Sequence, residues 1–236
     1  MTPYRHLFID WDNTLWDVDA NSRAVMTGLY QAYGLSAYYP TAGAFYAAYK
    51  RHNDALWEAY GAGRITKEYL NAERFGAPLR EAGCVSSSLA EELRGAYMPR
   101  LVEQTALMPG AVEFLEACRT AGYRMYVVSN GFREVQYAKI ERSGLGGYFR
   151  KVFLSEEVGQ HKPARAFFDR SLQSVNARKR ESLVVGDNFA ADIAGARGAG
   201  IDQCFCDPSG EAPAAFVPTY RVRRLNELLQ VLCPYV

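Results

Sequence analysis

Apolar residues recur along this chain in two rhythms. Short unbroken runs, Leu7-Phe8-Ile9, Met125-Tyr126-Val127-Val128, Val152-Phe153-Leu154 and Leu183-Val184-Val185, have the length and continuity of strands buried on both faces. Each stops abruptly at polar or small residues: Asp10, Ser129, Ser155 and Gly186-Asp187. Between them lie longer stretches patterned at three- and four-residue spacing, several closed by glycine, which is the signature of helices. The pattern predicts strands over 6–10, 125–128, 151–154, 182–186 and 203–206, with a sixth at 220–222. It predicts helices over 111–121 and 134–143, from Pro163 to about residue 175, and over 192–199 and 225–232. Strands alternating with helices imply an α/β fold, a doubly wound, mostly parallel, Rossmann-like sheet with right-handed crossovers.

The stretch from about residue 20 to 107 breaks this rhythm. It contains no strand pattern, only helical segments over 21–33, 41–60, 66–75 and 86–101, the third stopped by Gly76-Ala77-Pro78. Four helices set directly after the first strand predict an inserted module. The expected division is therefore a core of residues 1–17 and 108–236 and a helical domain of residues 18–107.

Length and composition narrow the class. A chain of 236 residues suits one α/β domain plus a smaller module, and 49% hydrophobic with 22% charged residues is ordinary for a protein with a sizeable core. The formal net charge of +1 argues against a nucleic-acid polymer or a membrane surface as partner. Five cysteines, an odd number with no C-x-x-C pair, suggest neither a disulfide framework nor a zinc site and fit a reducing compartment. The opening residues carry no apolar signal segment and no run approaches a membrane span, so a cytoplasmic protein is expected.

The candidate chemistry sits at the strand ends. Parallel strands bring their carboxyl ends to one edge, where open α/β sheets bind ligands. Asp10, Asp12, Ser129, Lys162, Asp187 and Asp192 all fall there. Asp10 and Asp12, two apart in extended chain, share a face. Singly these residues are bland: Ser129-Asn130-Gly131 is a turn, Lys162 a surface lysine, Gly186-Asp187 a turn and Asp192 a helix cap. Their joint order is what argues for a site. Clustered carboxylates resist ionising together, and a bound cation relieves that. An all-oxygen set with few ligands suits Mg²⁺, with Asp10 and Asp187 as direct ligands and the backbone carbonyl of Asp12 as a third. The metal points to phosphate. Lys162 and the Ser129 hydroxyl, with Asn130 beside it, would hold phosphoryl oxygens. Asp10 would attack phosphorus to give an aspartyl-phosphate, and Asp12 would protonate the leaving oxygen and later deprotonate water. Thr14, in the turn after them, is expected to support the site.

These residues resemble the motifs of the haloacid dehalogenase superfamily of phosphohydrolases, over nearly the whole chain. Asp10-Trp11-Asp12-Asn13-Thr14 is similar to its first motif, Ser129 to the second, Lys162 to the third, and Asp187 with Asp192 to the acidic fourth. The resemblance implies Asp10 as nucleophile, Asp12 as general acid and base, Mg²⁺ bound directly by Asp10 and Asp187 with Asp192 in support, and inserted helices that act as a cap closing over the site. Dehalogenating members lack the second acid, so Asp12 favours phosphoester chemistry. The stretch Asp12 to Asp17 and the cap segments Leu56-Trp57-Glu58, Gly63 to Glu68 and Glu73-Arg74-Phe75 resemble the housekeeping 5′-nucleotidases acting on pyrimidine nucleoside monophosphates. His161, where an acid is common, and Ala164-Arg165, where Asp-Pro is common, depart from that pattern. The expectation is a Mg²⁺-dependent phosphatase acting on a small phosphorylated metabolite, a nucleoside 5′-monophosphate first, as monomer or homodimer. A sugar-phosphate or phosphoglycolate phosphatase or a phosphomutase is the alternative, and a non-catalytic phosphate-binding relative the remaining one. Tyr46, Tyr49 and Trp57 are candidates for stacking on a base, with helix packing as the competing role.

Overall fold

A computed structural model describes residues 4–211 and 215–233. The chain divides into two compact units, Met1–Asp17 with Ala106–Val236, and Val18–Thr105. Strand β1 (His6–Ile9) comes first, followed by the inserted helices α1 (Val18–Ala32), α2 (Ala42–Gly61), α3 (Lys67–Glu81) and α4 (Ser87–Leu101). The larger unit then continues through α5 (Ala111–Thr120), β2 (Arg124–Ser129), α6 (Arg133–Arg142), β3 (Phe149–Leu154), α7 (Ser155–Val158), α8 (Arg165–Ser174) and β4 (Ser182–Gly186). A π-helical segment (Phe189–Ala194) leads into α9 (Gly195–Ala199), and β5 (Asp202–Cys206), β6 (Tyr220–Val222) and α10 (Leu225–Leu232) complete it.

The six strands form one sheet in the order β3-β2-β1-β4-β5-β6, every pair parallel. The chain winds outward from β1 in one direction and from β4 in the other, so the topological switch falls between β1 and β4. That is where doubly wound sheets open a crevice. The register sets what faces it. Ile9 lies opposite Val127 on one side and Val185 on the other, and the amide of Asp10 extends the ladder by donating to the Val185 carbonyl at 2.8 Å. Asp10, Ser129 and Asp187 therefore leave the sheet at nearly the same level.

The strands are placed by burial. β1 and β4 are buried along their whole length, which accounts for their continuous apolar runs. Phe8, Tyr126, Val128, Phe153 and Val184 form a cluster with Phe167, Phe168 and Ala196 of α8 and α9. The two helices reach this closeness because residue 195 is glycine: a Cβ there would lie 2.7 Å from the Phe168 ring and 2.9 Å from the Pro163 Cα. All five cysteines are reduced and buried, and among the described residues no helix is long and apolar enough to cross a membrane.

The insertion leaves and returns at one place in the larger unit. The Asp17 amide donates to the Ala106 carbonyl at 3.0 Å and the Met108 amide to the Leu15 carbonyl at 2.8 Å. Trp16 and Leu107 form an antiparallel bridge between them. Within the helical unit, Thr41, Thr66 and Ser86 cap α2, α3 and α4, each side-chain oxygen accepting from the amide three residues on. Tyr49, Phe75 and Tyr97 meet at its centre, with ring centroids 5.2 to 5.4 Å apart. Tyr46 is buried with its hydroxyl donating to Asp19 at 2.8 Å. Tyr46 and Tyr49 thus take the packing role weighed from the sequence, while Trp57 is half-buried, edge-on to Tyr60.

The helices depart from the pattern at several points: α1 starts at Val18 rather than 21 and α8 at Arg165 rather than Pro163. α3 does not stop at Gly76-Ala77-Pro78 but runs through them to Glu81. Phe75 and Leu79, four apart on one face, are both buried, and their burial outweighs the amide that Pro78 withholds from the helix. α7 is a single turn, too short to leave any periodicity. The helix expected from 192 begins earlier, as the π-helical turn from Phe189.

Phe75→Ala removes a ring from the centre of the helical unit and is expected to cost about 3–5 kcal/mol. Urea unfolding followed by circular dichroism checks this.

Candidate active site

The loops after β1, β2, β3 and β4 deliver the expected residues to one edge. Asp10 is the first residue beyond β1, and its side chain is buried. The turn after it is tight: the amides of Leu15 and Trp16 both donate to the Trp11 carbonyl at 2.9 Å. Asn13 takes a left-handed conformation, φ 57°, which asparagine tolerates better than most residues. Thr14 returns toward the site, with its hydroxyl directed at Asp10 Oδ2 and Asp187 Oδ1 at the long distances of 3.5 and 3.3 Å.

Lys162 is the hub. It is 3% exposed, and its ammonium donates to Asp10 Oδ1 at 2.6 Å, Asp192 Oδ1 at 2.6 Å and the Val128 carbonyl at 3.0 Å. All three of its donor protons are thereby placed. Asn130 fixes the loop that carries it: its Nδ2 donates to the Lys162 carbonyl and its Oδ1 accepts from the Lys162 amide, both at 2.9 Å. Asn130, expected as a phosphate ligand, ties its side-chain amide to the backbone that aims the lysine.

Asp192 is fully buried at the π-helical turn. Asn188 and Asp192 brace each other there. Asn188 Oδ1 accepts from the Ala191 amide at 2.9 Å, and Asp192 Oδ2 accepts from the Asn188 amide at 3.2 Å. Its other oxygen is left for Lys162. The carboxylate fits only because residue 186 has no side chain, since a Cβ at Gly186 would stand 2.3 Å from Asp192 Oδ2.

Electrostatics separate the groups. Burial pushes the Asp10 carboxyl well above the ordinary carboxylate range; Lys162 pulls against this, and Asp192 and Asp187 add to it. Burial, then Asp192, raises Asp187 to about 7, with Lys162 opposing. For Lys162 burial works against the charge, yet Asp10 and Asp192 hold its ammonium more tightly protonated than an ordinary lysine. One ammonium thus serves three carboxylates whose oxygens lie within 4.8 Å of one another at Asp10, Asp187 and Asp192. An all-oxygen set carrying excess negative charge is what a hard divalent cation takes, so these residues fit Mg²⁺. The acidic trio includes Asp192, expected only as a support, while the carboxylate of Asp12 lies outside it.

Asp12 turns to α6. Its Oδ1 accepts from Lys139 Nζ at 2.7 Å and its Oδ2 from Gln136 Nε2 at 2.9 Å. The same Gln136 Nε2 donates to Ser129 Oγ at 2.7 Å, and the Gly131 amide donates there at 3.0 Å. With its oxygen accepting twice, the Ser129 hydroxyl keeps its own proton to give. Gln136 and Lys139 escaped the sequence reading. The signal was present, since α6 has almost no apolar face and buries Gln136, Lys139 and Ile140 at the inward spacing.

Gly186→Ala must displace Asp192 or the strand end. It is expected to lower stability by about 1–3 kcal/mol, read as a fall in melting temperature.

Residues 4–200 match the description "haloacid dehalogenase-like hydrolase". The chain is 33% identical to the pyrimidine 5′-nucleotidase YjjG of Escherichia coli, over 97% of this chain and 98% of that protein. It is 30% identical to the pyrimidine 5′-nucleotidase PynA of Streptococcus pneumoniae, over 97% and 95%. The crystal structure of YfnB of Bacillus subtilis, named as a HAD-hydrolase and solved bound to magnesium, superposes with a TM-score of 0.87 at 30% identity, over 97% of this chain and 98% of that one.

Proposed function

The chain belongs to the haloacid dehalogenase-like hydrolases, and from that premise we propose that it is a Mg²⁺-dependent phosphomonoesterase for small metabolites, nucleoside 5′-monophosphates foremost. The observation that supports this reading is the Lys162 ammonium set between Asp10 and Asp192, with Asp187 beside them and a second acid, Asp12, two residues from Asp10. The nucleotide preference rests on the full-length likeness to two pyrimidine 5′-nucleotidases.

In this reading Asp10 is the nucleophile. A carboxylate oxygen attacks phosphorus, the ester oxygen departs with its electron pair, and Asp12 supplies the proton that makes it a good leaving group. Lys162 and the Ser129 hydroxyl hold phosphoryl oxygens, so the charge spreading over them meets fixed donors. Water then attacks the aspartyl-phosphate, Asp12 takes its proton, and inorganic phosphate leaves with Asp10 restored. Asp10 and Asp187, with the backbone carbonyl of Asp12, would hold Mg²⁺ with Asp192 in support, and the ion when bound would neutralise phosphoryl charge. The second acid is what separates this chemistry from dehalogenation, which needs no proton for its departing halide.

The test is phosphate release from a panel of nucleotides, sugar phosphates and phosphoglycolate, with Mg²⁺ and with chelator. Chelator-sensitive release peaking on pyrimidine monophosphates is expected. A peak on sugar phosphates would remove the nucleotidase assignment, and phosphate moved between sugar positions under a bisphosphate activator would make the protein a mutase. Asp10→Asn is expected to abolish turnover, and Asp12→Ala to lower kcat by roughly 10²–10⁴-fold. Wild-type-like release by Asp10→Asn would end the aspartyl-phosphate mechanism.

A further inference from the structure

The inward stripe of α6 is polar. A helix packed on a sheet ordinarily presents apolar residues at that spacing, yet two of the buried positions here are Gln136 and Lys139, only 1% and 5% exposed. Burying an amide and an ammonium is unfavourable unless each is paired, so their partners show what the helix holds. Both partner Asp12, one on each carboxylate oxygen. Lys139 is further confined by the Trp16 ring, whose centroid lies 4.2 Å from the ammonium, a contact favoured by the ring's electron-rich face. Gln136 also reaches Ser129, tying the second acid to the hydroxyl at the end of β2. The turn leading into α6 is shaped for this reach, because a Cβ at Gly131 would stand 2.5 Å from the Gln136 Cδ.

We propose that Gln136 and Lys139 are positioning residues for Asp12, which fix the plane of its carboxylate so that it receives the proton of the water that hydrolyses the aspartyl-phosphate. The inference rests on the phosphatase reading above. Both contacts come from donors, so they present Asp12 as an acceptor, and engaging both oxygens removes the rotation that a single contact would leave. In the step itself the water oxygen bonds to phosphorus and the bond from phosphorus to the Asp10 oxygen breaks. Its electron pair returns to the Asp10 carboxylate, and the water's proton passes to Asp12.

p-Nitrophenyl phosphate with Mg²⁺ isolates this half of the reaction, because its acidic phenol leaves without a proton donor. In Lys139→Met, kcat is expected to fall by about tenfold or more, while kcat/KM, which reports formation of the phospho-enzyme, stays within about threefold of wild type. Nitrophenolate should appear in an initial burst approaching the enzyme concentration. Lys139→Arg should recover part of kcat. A merely structural loss would lower kcat and kcat/KM together without a burst, and that result, or no change in either, overturns the inference. If Lys139→Met lacks the wild-type melting transition, Lys139→Gln, which keeps a polar head without the charge, carries the same readout. A wild-type protein that releases no nitrophenol overturns the phosphatase reading, and this inference with it. A wild type that turns over while the variants show no split overturns this inference alone.

Discussion

A single ammonium group holds the candidate site together. Three carboxylates converge at the end of a buried sheet, two of them almost without solvent, and such a cluster repels itself. The Lys162 side chain stands between Asp10 and Asp192 and makes their closeness tolerable. The geometry around it follows. Asn130 clamps its backbone, Gly186 makes room for Asp192, and the π-helical turn lets Asn188 and Asp192 brace each other. Replacing such a lysine is harsher than replacing a surface one, since it strands buried charges that had been compensated.

The site also uses two lysines for two acids. Asp10 faces Lys162, from the loop between α7 and α8, and Asp12 faces Lys139, from α6. Two carboxylates separated by one residue are thereby held in different surroundings, and assigning separate tasks to neighbouring acids depends on that kind of difference. The intervening Trp11 points into the apolar interior against Phe149, which keeps the two acids on their own side of the chain.

Much of this was readable from the sequence because burial leaves a mark. Strands covered on both faces must be apolar throughout, so β1, β2 and β4 stood out, and the polar residues that ended them marked the edge. The third strand and the glycine-closed helices followed from the same logic. What stayed hidden had no one-dimensional trace, or one that points the wrong way. Pro78 reads as a stop, and the burial of Phe75 and Leu79 on one face carries the helix past it. α7 is too short for any period. Asn130 follows Ser129 and so looks like part of the same phosphate grip, although its side chain closes on backbone thirty-two residues away. Gln136 and Lys139 on a mostly polar helix read as solvated surface. A helix that crosses a parallel sheet yet lacks an apolar stripe has to bury something polar, and that conflict between topology and composition points to function.

The stitching of residues 15–17 against 106–108 has an evolutionary consequence. The chain exits and re-enters the sheet unit at adjacent points already joined by backbone hydrogen bonds. Whatever is spliced between them meets ends that are closed in advance, and the entropy of closing a loop grows only slowly with its length. Insertions of different size or helical content can therefore be exchanged at this junction without disturbing the register of β1 or the carboxylates beyond it. The sheet unit, with the carboxylates at its edge, can in this way be inherited intact beside insertions of different origin.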